Sequence, residues 1–552
     1  MTTANIASQM TAMAARSPYK RAVVFPAGRD AAGRVTYSHL TFSQLDALSG
    51  EYARGLSEYG IGRGVKTLLM VRPSLDFFAL VFALFKAGAV PVMIDPGMGL
   101  SRLLHCVQAA APEALIGIPP AQAVRALRPR FFRSVRRHVT VGRRWFWGGR
   151  TLAQIAAAGK GRPLAAIEPE AGELAAVLFT TGSTGPAKGV EYTHGMFARQ
   201  CAMISDIYGV GADDIDLPAF PLFSLFSVGL GMTAVIPDMD ATRPAKVDPR
   251  KIIEAVTNQG CTFSFGSPAL WARVSQYCVD HGVKLPTLRK VLMAGAPVPA
   301  RTHDNLLNHV LAPGAETHTP YGATESLPVA DMSGAEVLAE TAAKTAAGGG
   351  VCVGRPVAGV ELKIIRYVDA PLASINDVEF LPQGEIGEII VRGANVTRAY
   401  HLLPAATSRQ KIPDGDSVWH RIGDLARLDA KGRIWFCGRA AHRVTTLTRD
   451  YYSVCAEAVL NQVPGVRRTA LVGIGKAPEQ TPAIVVETER PLDDAARVAL
   501  TRALAAAAEA SPVTRGIARF LFHPGFPVDI RHNAKINREE LAVWAAERFR
   551  GA

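Results

Sequence analysis

From about residue 20 to residue 436 the chain alternates short apolar runs with stretches of helical periodicity, and this alternation restricts its fold more than any other feature. Strands buried on both faces of a parallel sheet read as nearly unbroken Val/Ile/Leu runs, and helices supply the crossovers between them. Residues 173–179, 233–238, 288–295 and 387–393 read as such strands, with helical segments such as Pro249–Gln259 between them. The most apolar region, 67–95, is interrupted by Arg72, Asp76 and Lys86 and broken early by Pro73, so it reads as strand, helix, strand and not as a membrane span. Around 437–443 the pattern changes. A smaller unit follows, with strands near 468–475 and 482–488 and an Ala-rich helix over 493–510. The expected class is α/β. A large layered unit of several subdomains spans 1–436, a hinge lies at 437–443, and a smaller, mobile α/β unit spans 444–552.

Length and composition agree with that division. A chain of 552 residues suggests roughly three to four domain-sized units. With 48% hydrophobic and 20% charged residues it can bury its backbone, which excludes a disordered polymer. The seven cysteines are scattered, with no C-x-x-C pair and no zinc-ligand spacing to histidine, so neither a disulfide framework nor a zinc module is expected. Residues 1–16 do not read as a signal peptide. A reducing, cytoplasmic compartment fits these features. The net charge of +13 favours acidic small molecules, nucleic acid or anionic membrane surfaces without choosing among them. Residues 125–150 hold nine arginines, two tryptophans and three phenylalanines and no acid. They read either as a solvated basic face or as a surface for an anionic membrane or a partner protein.

Chemistry concentrates in one segment, Phe179-Thr-Thr-Gly-Ser-Thr-Gly-Pro-Ala-Lys-Gly189, directly after an apolar strand. Gly182, Gly185 and Gly189 permit sharp turns that aim backbone N–H groups inward. Thr180, Thr181, Ser183 and Thr184 add hydroxyls, and Lys188 adds a cation. Together they suit a polyphosphate. A Gly-rich surface turn would explain the glycines but not four hydroxyls and a lysine in so short a stretch. The order Lys188-Gly189 also differs from the P-loop NTPases, where Lys precedes Ser or Thr.

This stretch resembles the phosphate loop of the adenylate-forming enzymes, the superfamily of acyl-CoA synthetases, luciferases and peptide-synthetase adenylation domains. Further motifs follow in that family's order. Gly295-Ala296-Pro297 resembles the loop beside adenine, and Tyr321-Gly322-Ala323-Thr324-Glu325 resembles the Tyr-Gly-x-Thr-Glu segment. The resemblance implies that Tyr321 stacks on adenine, Thr324 binds the α-phosphate and Glu325 holds Mg²⁺. It implies that Asp424, after Gly423, binds the ribose hydroxyls with Arg439 as its partner, and that Lys535, in Asn533-Ala-Lys-Ile-Asn-Arg538, is the catalytic lysine. These roles suit the residue types. A carboxylate accepts from both hydroxyls of a diol and is a hard ligand for Mg²⁺, and a lysine offsets charge that builds up during attack. ATP and Mg²⁺ are the implied cofactors.

The departures from the family pattern are informative. Ser224 stands in Phe220-Pro-Leu-Phe-Ser-Leu-Phe226 where acyl-CoA synthetases commonly carry histidine. His442 replaces the hinge aspartate, and the following segment, 445–451, lacks the glycine-containing pantetheine loop. Ala187 in place of the loop proline is a minor change. These features point away from an ordinary thioester-forming half-reaction. Met70–Ser74, 236–244, 265–269, 319–325, 435–439 and 141–145 resemble the olefin β-lactone synthetases of bacterial long-chain hydrocarbon biosynthesis. That resemblance implies a long-chain 2-alkyl-3-hydroxy acid that is adenylated and then cyclised. Greasy substrate chains and an insoluble product would make contact of 125–150 with pathway partners or the inner membrane useful, and no nucleic acid is expected. His194 and His442 are the candidate bases for ring closure. A fatty acyl-CoA synthetase or acyl-AMP ligase, and more distantly a basic binding protein, remain the alternatives.

Overall fold

The computed structural model describes residues 5–180, 187–528 and 536–549. Two seven-stranded sheets form the body. In the first, Glu316–His318, Lys290–Met293, Phe263–Gly266, Ile215–Pro218, Thr233–Val235 and Arg21–Arg29 run parallel, and Val35–Thr41 closes the edge as an antiparallel hairpin partner. In the second, Arg150–Thr151, Arg137–Thr140, Ala114–Gly117, Lys66–Met70, Val90–Ile94 and Leu174–Thr180 are parallel, with Lys188–Thr193 antiparallel at the end.

The apolar region 67–95 folds as strand, helix, strand, and its helix Leu75–Lys86 is the centre of the main core. Ser74 caps it by accepting from the Phe77 N–H, and Phe77 through Lys86 are all buried. A helix buried all round packs on several elements at once, which explains why its sequence lacks a polar face. Lys86 is the exception in type, and its ammonium donates to Asp46 Oδ1 at 2.7 Å.

The expected strands occur, shortened where prolines or glycines end the ladder: 233–238 stops at Val235 before Pro237, and 288–295 reduces to Lys290–Met293. A third, antiparallel sheet is built from Val351–Cys352, Ile434–Arg439, Ser417–Leu428, Gly387–Gly393 and Val360–Ile365, with Lys411–Asp414 paired to its long strand. The strand Ile434–Arg439 runs into the region read as a hinge, and a short 3₁₀ turn, Ala440–His442, follows it. Beyond lie the antiparallel pair Val466–Ile474 and Thr481–Thr488, the parallel strand Arg519–Phe522, and the helices Asp494–Ala510 and Arg538–Phe549.

The arginine-rich segment is part buried and part exposed. Phe131, Phe132 and Trp147 are buried, and the Trp147 indole N–H donates to Thr140 Oγ1 at 3.1 Å. Arg125 donates to the Trp147 carbonyl at 3.1 Å. Trp145 stacks on Trp147 at 5.4 Å yet is 60% exposed, and Phe146 is 79% exposed. The loop is therefore an anchored finger with an aromatic tip beside Arg143 and Arg144. All seven cysteines are buried and free. Among the described residues no helix is long and apolar enough to cross a membrane.

Candidate active site

The site is assembled where the third sheet meets the C-terminal edge of the first. Asp424 and Arg439 face each other across the antiparallel pair of Ser417–Leu428 and Ile434–Arg439. Gly423 and Gly438 hold φ of +76° and +139°, and a Cβ on Gly438 would stand 2.5 Å from Ser453 Oγ, so a side chain there would strain the backbone and displace that hydroxyl. The Tyr321 hydroxyl donates to Asp424 Oδ2 at 2.6 Å. Burial and the Asp424 charge raise the Tyr321 pKa well above its usual value, so it stays a phenol. Arg439 Nε lies 3.0 Å from Asp424 Oδ1, and Arg439 also donates to the Ile422 carbonyl at 3.1 Å. Its N–H is not aimed at Oδ1, which is buried without a hydrogen-bond donor. A buried carboxylate oxygen with no hydrogen-bond donor is suited to accept from a ligand hydroxyl, so this site fits a ribose.

Glu325 Oε1 accepts from the Tyr400 hydroxyl at 2.6 Å. The Tyr192 hydroxyl donates to the Thr324 carbonyl at 2.5 Å, fixing the turn between the two residues. Lys188 Nζ lies 4.9 Å from the Tyr400 ring centre. Burial lowers the Lys188 pKa while the Glu325 charge opposes that shift. Among the described residues no cluster of three His, Cys, Asp or Glu side chains could cage a metal. A single carboxylate such as Glu325 suits Mg²⁺, which is commonly held by one or two carboxylates plus phosphates.

Lys188, Gly295, Ala296, Pro297, Tyr321, Gly322, Thr324, Glu325, Asp424 and Arg439 all line one cavity of about 2120 Å³. Thr181, Gly182, Ser183, Thr184, Gly185 and Lys535 lie outside the described residues, and Thr180 is described as the last residue of its strand only.

The same cavity has apolar walls. Phe220, Phe223, Phe226 and Phe265 line it, with Phe223 stacked on Phe265 at 4.2 Å. Another part reaches Ile118, Pro120, Ala121 and Val124, next to the aromatic finger. Ser224 is buried, and its hydroxyl donates to the Pro221 carbonyl at the start of helix Ser224–Gly229. Of the two candidate bases, His442 lines the cavity, with Nε2 3.4 Å from Glu539. His194 does not: it is buried against Phe85 in the main core, and burial lowers its pKa to about 4, leaving a neutral structural ring.

Three residues escaped the sequence reading. Tyr400 anchors Glu325. Lys411, 4% exposed, donates to the Thr397 carbonyl and at 3.0 Å to its hydroxyl, and burial lowers its pKa to about 7. Asp216 lines the apolar part of the cavity. None carries a local motif. Only an acid inside a short apolar run, Ile215-Asp-Leu-Pro218, could have drawn attention to Asp216.

A fold of two largely parallel sheets with an antiparallel third, and a cavity joining Tyr321, Asp424 and Arg439, define an adenylate-forming enzyme. The AMP-binding enzyme family model matches residues 10–401, and the chain belongs to that family. Within the family it stands with the olefin β-lactone synthetases. It is 47% identical over 552 residues to the olefin beta-lactone synthetase of Xanthomonas campestris pv. campestris, covering 99% of this chain and 98% of that one. It is 48% identical to the enzyme of the same description from Stenotrophomonas maltophilia, covering 98% of each. The amide bond synthetase McbA from Marinactinospora thermotolerans shares the fold at TM-score 0.77 and 22% identity, over 98% of this chain and 99% of that one.

Proposed function

We propose that the protein adenylates a long-chain 2-alkyl-3-hydroxy acid with ATP and then closes it to a β-lactone. The observation that carries this reading is the continuity of one cavity from the polar cluster of Tyr321, Asp424 and Arg439 to walls built from Phe220, Phe223, Phe226 and Phe265. In the first step a carboxylate oxygen attacks the α-phosphorus and pyrophosphate leaves. In the second the substrate's own hydroxyl oxygen attacks the acyl carbonyl and AMP leaves, with no second acceptor. Holding the two reacting groups in one pocket exploits effective molarity, worth about 7–11 kcal/mol in well-oriented cases.

In this reading Asp424 and Arg439 hold the ribose. Tyr321 stacks on adenine beside Gly295, Ala296 and Pro297. The segment 180–185 with Lys188 cradles the phosphates, with Gly322 leaving room for the nucleotide's approach. Thr324 binds the α-phosphate, Glu325 would ligate Mg²⁺, and Lys535 neutralises charge at the reacting phosphorus. When bound, Mg²⁺ would neutralise phosphate charge and ease departure of pyrophosphate. Residues 1–436 form the ATP- and acyl-binding unit, and 444–552 close over it about 437–443. The enzyme works in the cytoplasm, and the finger at 125–150 contacts an anionic membrane surface from which an insoluble substrate is drawn.

The test is incubation with ATP, Mg²⁺ and a 2-alkyl-3-hydroxy acid in the absence of CoA, with product identification by NMR at ambient temperature. Stoichiometric AMP, pyrophosphate and β-lactone are expected. AMP released only after CoA is added would overturn the reading in favour of an acyl-CoA synthetase.

A further inference from the structure

The apolar walls of the cavity fall into two groups that belong to different parts of the core. In the first, Phe263, Phe265 and Leu292 line the cavity from one face of the first sheet, with Phe265 and Leu292 in register. Ile204 and Tyr208, one helical turn apart on helix His194–Tyr208, line it as well. Tyr208, Met232 and Phe263 are buried together in one cluster and close this arm at its inner end. Ala294, at the other end, lies four residues beyond Lys290, the register partner of Phe263. At about 3.3 Å per residue the arm is about 13 Å deep, room for an extended alkyl chain of about ten carbons.

A second arm departs from the first. The rings of Phe223, Phe226, Phe197 and Phe85 all line the cavity and follow one another at 5.9, 6.0 and 5.6 Å. They lead from the acyl walls into the space between the two large sheets, where Phe77, Met93 and Leu178 line the cavity and pack in the main core around helix Leu75–Lys86. The cavity then passes the C-terminal ends of the second sheet's strands at Val71, Ile94 and Ile118 and reaches Leu103 and Val124. Two exposed leucines stand one helical turn from these last residues, Leu100 on helix Leu100–Ala110 and Leu127 on helix Pro119–Leu127. This arm therefore opens through an apolar rim on the side of the aromatic finger.

An unbranched acid has one chain and fills one arm. A 2-alkyl-3-hydroxy acid carries two chains on neighbouring carbons, and both must leave water while the carboxyl stays at the nucleotide. Each methylene left in water costs about fourfold in affinity. We propose that the arm between the sheets is a separate site for one of the substrate's two long alkyl chains, the other lying in the closed arm, an inference that rests on the β-lactone reading above. The cavity has the size for it: about 2120 Å³, at least twice the roughly 300–1,000 Å³ of an ordinary ligand site. The arm also accounts for two segments that resemble the olefin β-lactone synthetases. Residues 70–73 and 236–242 all line the cavity, and Val71 and Ile236 pack on the core that walls this arm. Chains held in separate arms fix C2 and C3 at the fork, and with them the torsion between carboxyl and hydroxyl that ring closure requires.

The experiment measures pyrophosphate release with ATP and Mg²⁺ for a 2-methyl-3-hydroxy acid with a long chain on C3, a 3-hydroxybutanoic acid with a long alkyl group on C2, and 2-methyl-3-hydroxybutanoic acid. Val71→Trp fills the arm between the sheets, and Ile204→Trp fills the closed one. Each variant should lower kcat/KM about 10²-fold or more for one long-chain acid only, the effect of about four excluded methylenes. The two variants should penalise different acids, and both should turn over the short acid at the parental rate. Penalties that fall on the same acid, or no penalty from Val71→Trp, overturn the inference. A second measurement avoids any folding defect. In the parent, lengthening one chain beyond about ten carbons should stop turnover at the closed arm, while lengthening the other should not. A cut-off at the same length on both chains, or on neither, also refutes the two arms. A parent that releases pyrophosphate from an acid with two long chains but makes no β-lactone overturns the underlying reading instead.

Discussion

Replacing Asp216 by Asn should alter the pH dependence of stability, independently of any substrate. Folding raises this carboxyl from its ordinary 3.8 to about 7, chiefly by burial. The folded protein therefore keeps a proton that the unfolded chain releases, so this group's contribution to stability falls as pH rises from about 4 to about 7 and is constant above. A shift of roughly 3 units at 1.36 kcal/mol each corresponds to about 4 kcal/mol. Asn cannot titrate. The stability of the variant relative to the parent should accordingly rise by up to about 4 kcal/mol between acid and neutral pH, and every other titrating group cancels in the difference. With a melting entropy of about 1 kcal/mol/K for a chain of this length, that is a relative gain of about 4 °C in Tm. The assay is a pair of thermal melts at mildly acid pH and above neutrality. A gap between the two proteins that is the same at both pH values would refute the reasoning, because it would mean that the carboxylate is already compensated.

Asp424→Ala should raise the KM for ATP about 10- to 150-fold, the equivalent of the roughly 1.5–3 kcal/mol carried by a charged hydrogen bond; a turnover defect at saturating ATP with unchanged KM would contradict a ribose contact. Lys535→Ala should slow pyrophosphate release by about 10²-fold or more with Tm nearly unchanged, and a near-normal rate of acyl-adenylate formation would remove it from the reacting centre. Trp145→Ser with Phe146→Ser should reduce binding to anionic vesicles at least about 10-fold, since each aromatic tip is worth on the order of 1.5–3 kcal/mol when buried in lipid. The same double variant should turn over a short soluble substrate at the parental rate, and vesicle binding equal to the parent's would mark the finger as a solvated loop.

The sequence alone determined the class of fold, and its motifs named residues that the fold brings around one cavity. Both are written in local patterns. Apolar runs such as 173–179 and 387–393 must be buried on two faces, and Tyr321 to Glu325 sit in one short motif whose spacing the backbone preserves. What only the tertiary structure decided depends on burial and on pairs distant in sequence. Asp424 meets Tyr321 across 103 residues, and Glu325 meets Tyr400 across 75. His194 and His442 look alike in sequence, yet one is packed against Phe85 in the core and the other faces the cavity. Asp216 reads as one acid among 48 acidic residues. Its raised pKa arises only when the fold removes it from water and sets it near Asp214 in the wall of an apolar cavity. A carboxylate's reactivity is set by its surroundings in space, and a strand's sequence does not state what will pack across from it.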